Sequence, residues 1–147
     1  MKKALIIYGS TTGNTESMSE IVGAGLKAAD MEVEIKEVTN AKISDLTAYD
    51  LVLMGCPAYG DDEIELQDDF ADFYDQMDGI KLEGKKFAVF APGDTSYEHF
   101  CGSVDLLEGK IEELGGTLVV EGLKVEGDPS DSDSDIKEWA GRAAGNL

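Results

Sequence analysis

The turn from Gly9 to Thr15 combines residue types that could bind an anion. It reads Gly-Ser-Thr-Thr-Gly-Asn-Thr, with four hydroxyl side chains and no Lys or Arg. Backbone N–H groups of such a loop and of a following helix start can converge on an anion. Gly13 permits close approach of the backbone. These features suit one terminal phosphate monoester bound without a countercharge, and an ordinary Ser/Thr helix cap is the alternative. The candidate donors are Ser10, Thr11, Thr12, Gly13, Asn14 and Thr15.

Several other classes of phosphate-binding or phosphate-transferring protein lack their required residues in this chain. It lacks the lysine of the nucleotide-hydrolysing motif G-x-x-x-x-G-K-[ST], and it lacks the dinucleotide motif G-x-G-x-x-G. Neither Cys56 nor Cys101 has an Arg six residues later, which excludes a Cys-x₅-Arg phosphatase. A receiver-type signalling domain would need an acidic pair where Gly9-Ser10 stands and an Asp where Cys56-Pro57 stands.

Two further turns each carry a tyrosine, Tyr59 within residues 55–62 and Tyr97 within residues 91–102. Each phenol ring could stack on one face of a flat aromatic ligand. The alternative for a single tyrosine is a half-buried surface position. Because both tyrosines follow apolar strands beside a phosphate-binding turn, we expect them to sandwich such a ring.

Five apolar runs, each followed by a turn and a helical pattern, must position these turns. Nearly continuous apolar runs predict parallel strands that are covered on both faces, and alternation with helices predicts a doubly wound α/β fold. Its ligand crevice lies at the carboxyl ends of the strands. The predicted strands are Ala4 to Tyr8, Val33 to Val38, Leu51 to Cys56, Phe87 to Ala91 and Leu118 to Val125. The predicted helices are Asn14 to Ala29, Asp62 to Met77, Val104 to Leu114 and Asp135 to Ala144, with a solvated loop from Asp128 to Asp135.

The charge balance restricts the partners. The chain has 147 residues and a formal net charge of −19. Nucleic acid and anionic membrane surfaces are poor partners for it, whereas a basic protein is favoured. The N-terminus has no signal-peptide pattern and no run approaches a membrane span, so we expect a cytoplasmic monomer with reduced thiols. A single Cys56–Cys101 disulfide is the alternative.

Three segments in chain order resemble the flavin loops of flavodoxins. They are Ser10-Thr11-Thr12-Gly13-Asn14-Thr15, the stretch Gly55-Cys56-Pro57-Ala58-Tyr59-Gly60-Asp61-Asp62, and the stretch from Ala91 to Gly102. The resemblance extends along the whole chain and includes the helix after the second loop. The uninterrupted run from Leu118 to Val125 is similar to the short-chain type. The resemblance implies a single domain over residues 1–147, with a five-stranded parallel sheet in the order 2-1-3-4-5 and helices on both faces.

Such a resemblance implies an electron carrier rather than an enzyme. It would hold FMN non-covalently, shuttle at low potential between semiquinone and hydroquinone, and dock on basic reductases, oxidoreductases or cytochromes that also use ferredoxin. The implied ring-binding residues are Pro57, Ala58, Tyr59, Gly60, Asp61, Pro92, Gly93, Asp94, Tyr97, His99, Phe100 and Cys101. Tyr59 stands where relatives often have Trp, and Pro92 has no N–H to donate.

Gly60 has a specific implied role. In flavodoxins the matching glycine peptide turns its C=O toward flavin N5 when that atom gains a hydrogen, and the resemblance assigns this movement to Gly60–Asp61. Such backbone angles are cheap for glycine. A plain turn glycine is the alternative.

The remaining polar residues are interpreted more simply. His99 lacks metal-ligand partners and a nucleophile, so we expect a solvent-facing loop residue, and Trp139 is expected to pack in the core. A rival function, an FMN reductase that uses NAD(P)H, would need one open ring face, which Tyr59 and Tyr97 would cover. Nine carboxylates would surround the ring edge, either as a docking surface or as a solvated face. They are Asp61, Asp62, Glu63, Glu65, Asp68, Asp69, Asp94, Glu98 and Asp105.

Overall fold

The five predicted strands form one parallel sheet. The computed structural model describes residues 2–9, 14–56, 58–59, 65–66, 68–93, 102–126 and 129–147. Its strands are β1 (Lys3–Tyr8), β2 (Glu32–Glu37), β3 (Leu51–Gly55), β4 (Ala58–Tyr59), β5 (Glu65–Leu66), β6 (Lys86–Gly93), β7 (Thr117–Leu118) and β8 (Leu123–Glu126). Its α-helices are α1 (Asn14–Ala28), α2 (Asp68–Gln76), α3 (Gly102–Glu113) and α4 (Asp133–Gly145), and 3₁₀ helices span Val38–Asn40, Ile43–Thr47 and Pro129–Ser132.

The strand order confirms the predicted topology. The main sheet runs β2-β1-β3-β6-β7, with β8 also paired to β6, and all these pairs are parallel. Since β7 and β8 are two parts of the fifth strand, this is the order 2-1-3-4-5. The short strands β4 and β5 form a separate antiparallel pair.

Two apolar layers cover the two faces of the sheet. In β1, Leu5 and Ile7 join the layer formed with α2 and α3, whereas Ala4 and Ile6 join the layer formed with α1 and α4. A strand that is buried on both faces needs apolar residues at every position, which explains the continuous runs of β1, β3 and β6. The mixed run of β2 lies at an edge of the sheet, as predicted.

The fifth strand differs from the prediction of one uninterrupted run. Between its two parts β6 advances three residues, from Phe87 to Phe90, while the fifth strand advances five, from Leu118 to Leu123. Two residues are therefore in excess, and they bulge out of the ladder. Val120 is only 8% exposed in the layer with α4. Val120 is apolar because it packs in the core and not because it pairs in the sheet. The apolar run therefore predicted a continuous strand where the structure has a bulge.

Three helices begin at other residues than predicted. Helix α3 begins at Gly102 rather than Val104. Helix α2 begins at Asp68 rather than Asp62, because Glu65 and Leu66 pair with Tyr59 and Ala58 in β4 and are extended. Residues 61–64 lie outside the described part. Helix α4 begins at Asp133 rather than Asp135, after the 3₁₀ helix Pro129–Ser132, so part of the predicted acidic loop is helical.

The helices bury one apolar face against the sheet. The buried side chains of the helices, with Met77 directly after α2, are Met18, Val22, Leu26, Phe70, Phe73, Met77, Val104, Leu107, Ile111, Ile136, Trp139 and Ala143.

Across the described residues, no helix combines the length and apolarity needed to cross a membrane.

Candidate functional site

The first two candidate loops leave the sheet side by side. Tyr8 at the end of β1 is in register with Gly55 at the end of β3, and Gly55 is in register with Phe90 of β6. The N–H of Gly9 donates a hydrogen bond of 3.0 Å to the carbonyl oxygen of Gly55. The sheet therefore fixes the spacing between the two loop bases at its carboxyl edge.

The start of α1 holds a buried hydroxyl without a partner. Thr15 is 1% exposed, and its Oγ1 makes no hydrogen bond within the described part of the chain. An unsatisfied buried hydroxyl costs about 1–3 kcal/mol. It lies in the first helical turn, where backbone N–H groups also lack intrahelical acceptors. This position fits an anion that accepts hydrogen bonds from both the helix start and Thr15.

Carboxylates dominate the electrostatics beside this helix start. Tyr8, the last residue of β1, has a raised pKa because of burial first, and then because of Glu16, Glu37 and Glu20. All the charged groups that act on this phenol are negative. An anion bound at the helix start would have to overcome this negative field, which hydrogen-bond donors of the turn could offset.

The second loop begins with a strand pair. Ala58 and Tyr59 form β4, which pairs antiparallel with Leu66 and Glu65 of β5. This pairing fixes the backbone at Tyr59 next to the end of β3. Cys56, which follows β3, is fully buried.

The third loop leaves β6 later than predicted. The expected strand ended at Ala91, but β6 continues to Gly93, and Pro92 and Gly93 pair with Val125 and Glu126 of β8. These two predicted loop residues are therefore part of the sheet. Pairing with β8 extends β6 beyond the apolar run, so apolarity alone underestimated its length.

The structure places six of the predicted ligand-binding residues: Asn14, Thr15, Ala58, Tyr59, Pro92 and Gly93. All six lie near the carboxyl ends of β1, β3 and β6. The others lie outside the described residues: Ser10, Thr11, Thr12, Gly13, Pro57, Gly60, Asp61, Asp94, Tyr97, His99, Phe100 and Cys101.

One member of the expected carboxylate ring is described with its side chain. Asp105 on α3 is exposed, and its carboxylate lies 3.2 Å from Nζ of Lys124. This pairing reduces the negative charge that Asp105 contributes. Glu65, Asp68 and Asp69 are placed by backbone only, and Asp61, Asp62, Glu63, Asp94 and Glu98 lie outside the described part.

Trp139 packs in the core, as predicted. It is 1% exposed and meets Phe90 edge-to-face with ring centroids 6.1 Å apart. Its Nε1–H donates a hydrogen bond of 2.7 Å to the carbonyl oxygen of Glu121 in the bulge of the fifth strand. Gly55 was not predicted to shape the site, yet a Cβ there would overlap the Phe90 ring. A glycine that ends an apolar strand is the signal that indicates such close approach.

Comparison with known proteins follows this geometry. The flavodoxin family model matches residues 6–139. A flavodoxin from Maridesulfovibrio salexigens is 44% identical over 148 residues, which cover 100% of both chains. The crystal structure of oxidised flavodoxin 2 from Bacillus cereus is 39% identical with a TM-score of 0.92, covering 99% of each chain. A Fusobacterium nucleatum flavodoxin solved with bound flavin mononucleotide has the same fold, at 18% identity and a TM-score of 0.81 over 95% of each chain.

The sheet order, the loops at its carboxyl edge and these similarities agree over the length of the chain. The chain belongs to the flavodoxin family, whose members are FMN-binding electron-transfer proteins rather than enzymes.

Proposed function

We propose that this chain is a low-potential one-electron carrier, folded as a single domain over residues 1–147. It holds FMN non-covalently, works between the one-electron and two-electron reduced forms, and docks on basic redox partners. Bound FMN supplies the reversible one-electron chemistry. The chain binds the phosphate, covers the ring and excludes water from it.

The buried Thr15 hydroxyl is the observation that carries this proposal. It has no partner in the described structure, and it lies where the first loop joins α1. The FMN phosphate would accept its hydrogen bond together with those of Ser10 to Asn14. Without that anion the hydroxyl is an unexplained cost, because buried polar groups in folded proteins are almost always hydrogen-bonded.

The other two loops would enclose the ring. We propose that Tyr59 stacks on one face and Tyr97 on the other, and that the backbone from Pro92 to Cys101 borders the pyrimidine end. The pairing of Tyr59 with Glu65 supports this role, since it holds the Tyr59 backbone beside the end of β3. The Gly60–Asp61 peptide would then adjoin N5.

The charge of the chain supports basic partners. A net charge of −19 attracts positively charged proteins, and we propose that the chain meets them in the cytoplasm. Reductases, oxidoreductases and cytochromes that also accept electrons from ferredoxin have the required chemistry.

Comparing FMN with riboflavin tests the phosphate assignment. Quenching of flavin fluorescence gives both dissociation constants, and we expect riboflavin to bind at least about 100-fold more weakly, since it lacks the anion. Thr15→Val should weaken FMN about tenfold and leave riboflavin unchanged. Thr117→Val, at an exposed residue of β7, is the matched control. Equal affinities for FMN and riboflavin would contradict the assignment.

A further inference from the structure

Strand β2 is an open edge of the sheet. Among the strands of the described ranges it pairs only with β1, in unbroken register from Glu32 opposite Lys3 to Glu37 opposite Tyr8. The N–H of Glu32 donates to the carbonyl oxygen of Lys2 over 2.9 Å. Because amide groups of successive strand residues point to opposite sides, every second residue from Val33 onward turns its N–H and C=O away from β1. Four of the six residues of β2 are exposed.

The opposite edge of the sheet is interrupted in the middle. The two-residue bulge interrupts the ladder between β7 and β8, and side chains of α4 hold it. Nδ2 of Asn146 donates to the carbonyl oxygen of Val119 over 2.7 Å. Bulges and covered carbonyls are devices that prevent strand addition at an edge. In the described structure β2 has neither a bulge nor a covered carbonyl. Its protection is charge, three glutamates and Lys36, which opposes the addition of an acidic strand but not of a basic one.

A groove with a volume of about 440 Å³ runs beside β2 on one face of the sheet. Glu32, Glu34, Asp45, Tyr49 and Lys3 line it. The Tyr49 hydroxyl donates a hydrogen bond to the Glu34 carboxylate. Hydroxyl and carboxylate groups on this wall provide a polar surface that carries net negative charge.

The charge of the edge selects its occupant. Strand β2 contains three glutamates and one lysine, and Nζ of that Lys36 lies 3.3 Å from the Asp45 carboxylate. A second copy of β2 carries the same excess of two negative charges, so the two strands repel each other overall, even in a register that sets Glu34 opposite Lys36. A strand with Lys or Arg at alternate positions would instead complement both the edge and the groove.

Ile35 supplies an apolar contact on the other face. It is 38% exposed, the exposed large hydrophobic side chain of the described residues. Side chains of a strand alternate between faces, so an added strand would place every second residue toward the groove and the others near Ile35.

We propose that the β2 edge binds an extended segment of a partner protein that alternates basic and apolar residues. The segment adds a strand beside β2, its basic side chains enter the groove, and its apolar side chains contact Ile35. Main-chain hydrogen bonds then give affinity, and the acidic groove gives selectivity. The groove lies toward the amino ends of β1 and β2, whereas the flavin loops follow the carboxyl edge of the sheet, so the two binding sites do not overlap.

A synthetic strand tests the proposal with the full-length flavin-loaded protein. The probe is a fluorescein-labelled ten-residue peptide of alternating Lys and Val, and fluorescence anisotropy measures its binding. A peptide of the same sequence that is N-methylated at every residue has no N–H donor on either edge, so we expect it to bind at least about tenfold more weakly. Amide NMR signals of Val33, Ile35 and Glu37 should shift, and their hydrogen exchange should slow. Equal binding of the N-methylated peptide would overturn the proposal.

Variants that remove carboxylate charges measure how much the groove contributes to the peptide affinity. Glu32→Gln with Glu34→Gln keeps the side-chain shapes and should weaken the peptide about fivefold or more. Glu112→Gln with Glu113→Gln, at exposed residues of α3, changes the net charge equally and should have less than about a twofold effect.

Three outcomes count against this surface. Equal weakening by both double variants would show attraction to net charge alone. Peptide-induced shifts confined to the ends of β1, β3 and β6 would place binding at the flavin edge. A concentration-dependent dimer in sedimentation, dissolved by the peptide, would identify a second copy as the occupant. None of these outcomes affects the FMN and riboflavin comparison, so the two proposals fail separately.

Discussion

The ring of Phe90 lies against the backbone of Gly55 so closely that a Cβ atom at residue 55 would overlap its ring carbons. Phe90 is held from the other side by its edge-to-face contact with Trp139. Gly55 also accepts the hydrogen bond from the N–H of Gly9. Gly55, at the base of the second loop, thus packs against Phe90 of β6 and is hydrogen-bonded to Gly9 at the base of the first loop. Both contacts depend on one residue that has no side chain.

Gly55→Ala should therefore destabilise the protein and weaken FMN. Forcing a methyl group into a filled core costs about 1–3 kcal/mol, and here it would displace the bases of two loops. Urea unfolding and FMN titration measure the two effects. Gly109→Ala is the matched control with the opposite sign. No atom lies within 4 Å of its Cβ position on α3, so it should stabilise by about 0.5–1 kcal/mol. Equal stability of the two variants would contradict this packing argument.

Glu108 on α3 should make stability depend on pH. Its pKa is raised, first by burial and then by Asp105, although the N–H of Gly122 donates to it. A raised folded pKa means that the folded state prefers the protonated form. The favourable contribution is present below the unfolded pKa of 4.5 and is lost as pH rises through the folded value.

Glu108→Gln should accordingly raise the urea midpoint at pH 7 and leave it unchanged at about pH 4. Glu112→Gln, at an exposed residue of the same helix, removes the same charge without removing a half-buried carboxylate. If Glu108→Gln instead lowers the midpoint at neutral pH, the hydrogen bond from Gly122 outweighs the cost of burial.

Gly60→Ala should affect the first reduction step selectively. A left-handed or similar backbone angle costs a residue with a Cβ about 1–2 kcal/mol. Since 59 mV is a factor of ten for one electron, the first couple should fall by roughly 40–90 mV while the affinity for oxidised FMN barely changes. Spectroelectrochemical titration measures both couples. An unchanged first potential would refute the turning of the Gly60–Asp61 peptide.

Acidic residues after the second loop should lower the second potential and guide docking. Replacing Asp61 and Asp62 with Asn and Glu65 with Gln should raise the second couple, because like charges oppose a negatively charged reduced flavin. It should also slow reduction of a c-type cytochrome at low ionic strength, with both effects fading toward 1 M salt, where the screening length is about 3 Å.

The matched control for this triple variant is Glu83→Gln, Glu112→Gln and Glu113→Gln. These residues are exposed near the amino edge of the sheet, and their replacement changes the net charge equally. The acidic face would be only a solvated surface if the rate of cytochrome reduction did not depend on salt, or if both triple variants slowed it equally.

The sheet was predictable because its central strands are buried on both faces. The runs of β1, β3 and β6 must be apolar at each position, and their short length between turn residues distinguishes them from buried helices. In the fifth strand a buried residue need not be a paired one, since Val120 is buried but lies outside the ladder. Hydrophobicity reports burial, so the bulge could not be predicted from it.

Local chemistry was easier to predict than contacts between distant residues. The hydroxyl-rich turn directly indicated Thr15 as a candidate phosphate ligand, because hydrogen-bond donors without Lys or Arg favour a phosphate site that has no countercharge. The overlap at Gly55 depends on Phe90, which is 35 residues later in the chain. The start of α2 depends on the pairing of Glu65 with Tyr59, and the periodicity of the helix does not predict this pairing.

The bulge of the fifth strand also marks where this fold can change its length. Strands β1, β3 and β6 have neighbours on both sides, so an added residue there would shift the register of two ladders and re-space the loops at their ends. Between Leu118 and Leu123 the chain already departs from the ladder and returns to it, anchored by α4. Extra residues inserted at this point would extend outward from a terminal strand, so evolution or engineering can add a new segment while the geometry of the other strands is conserved.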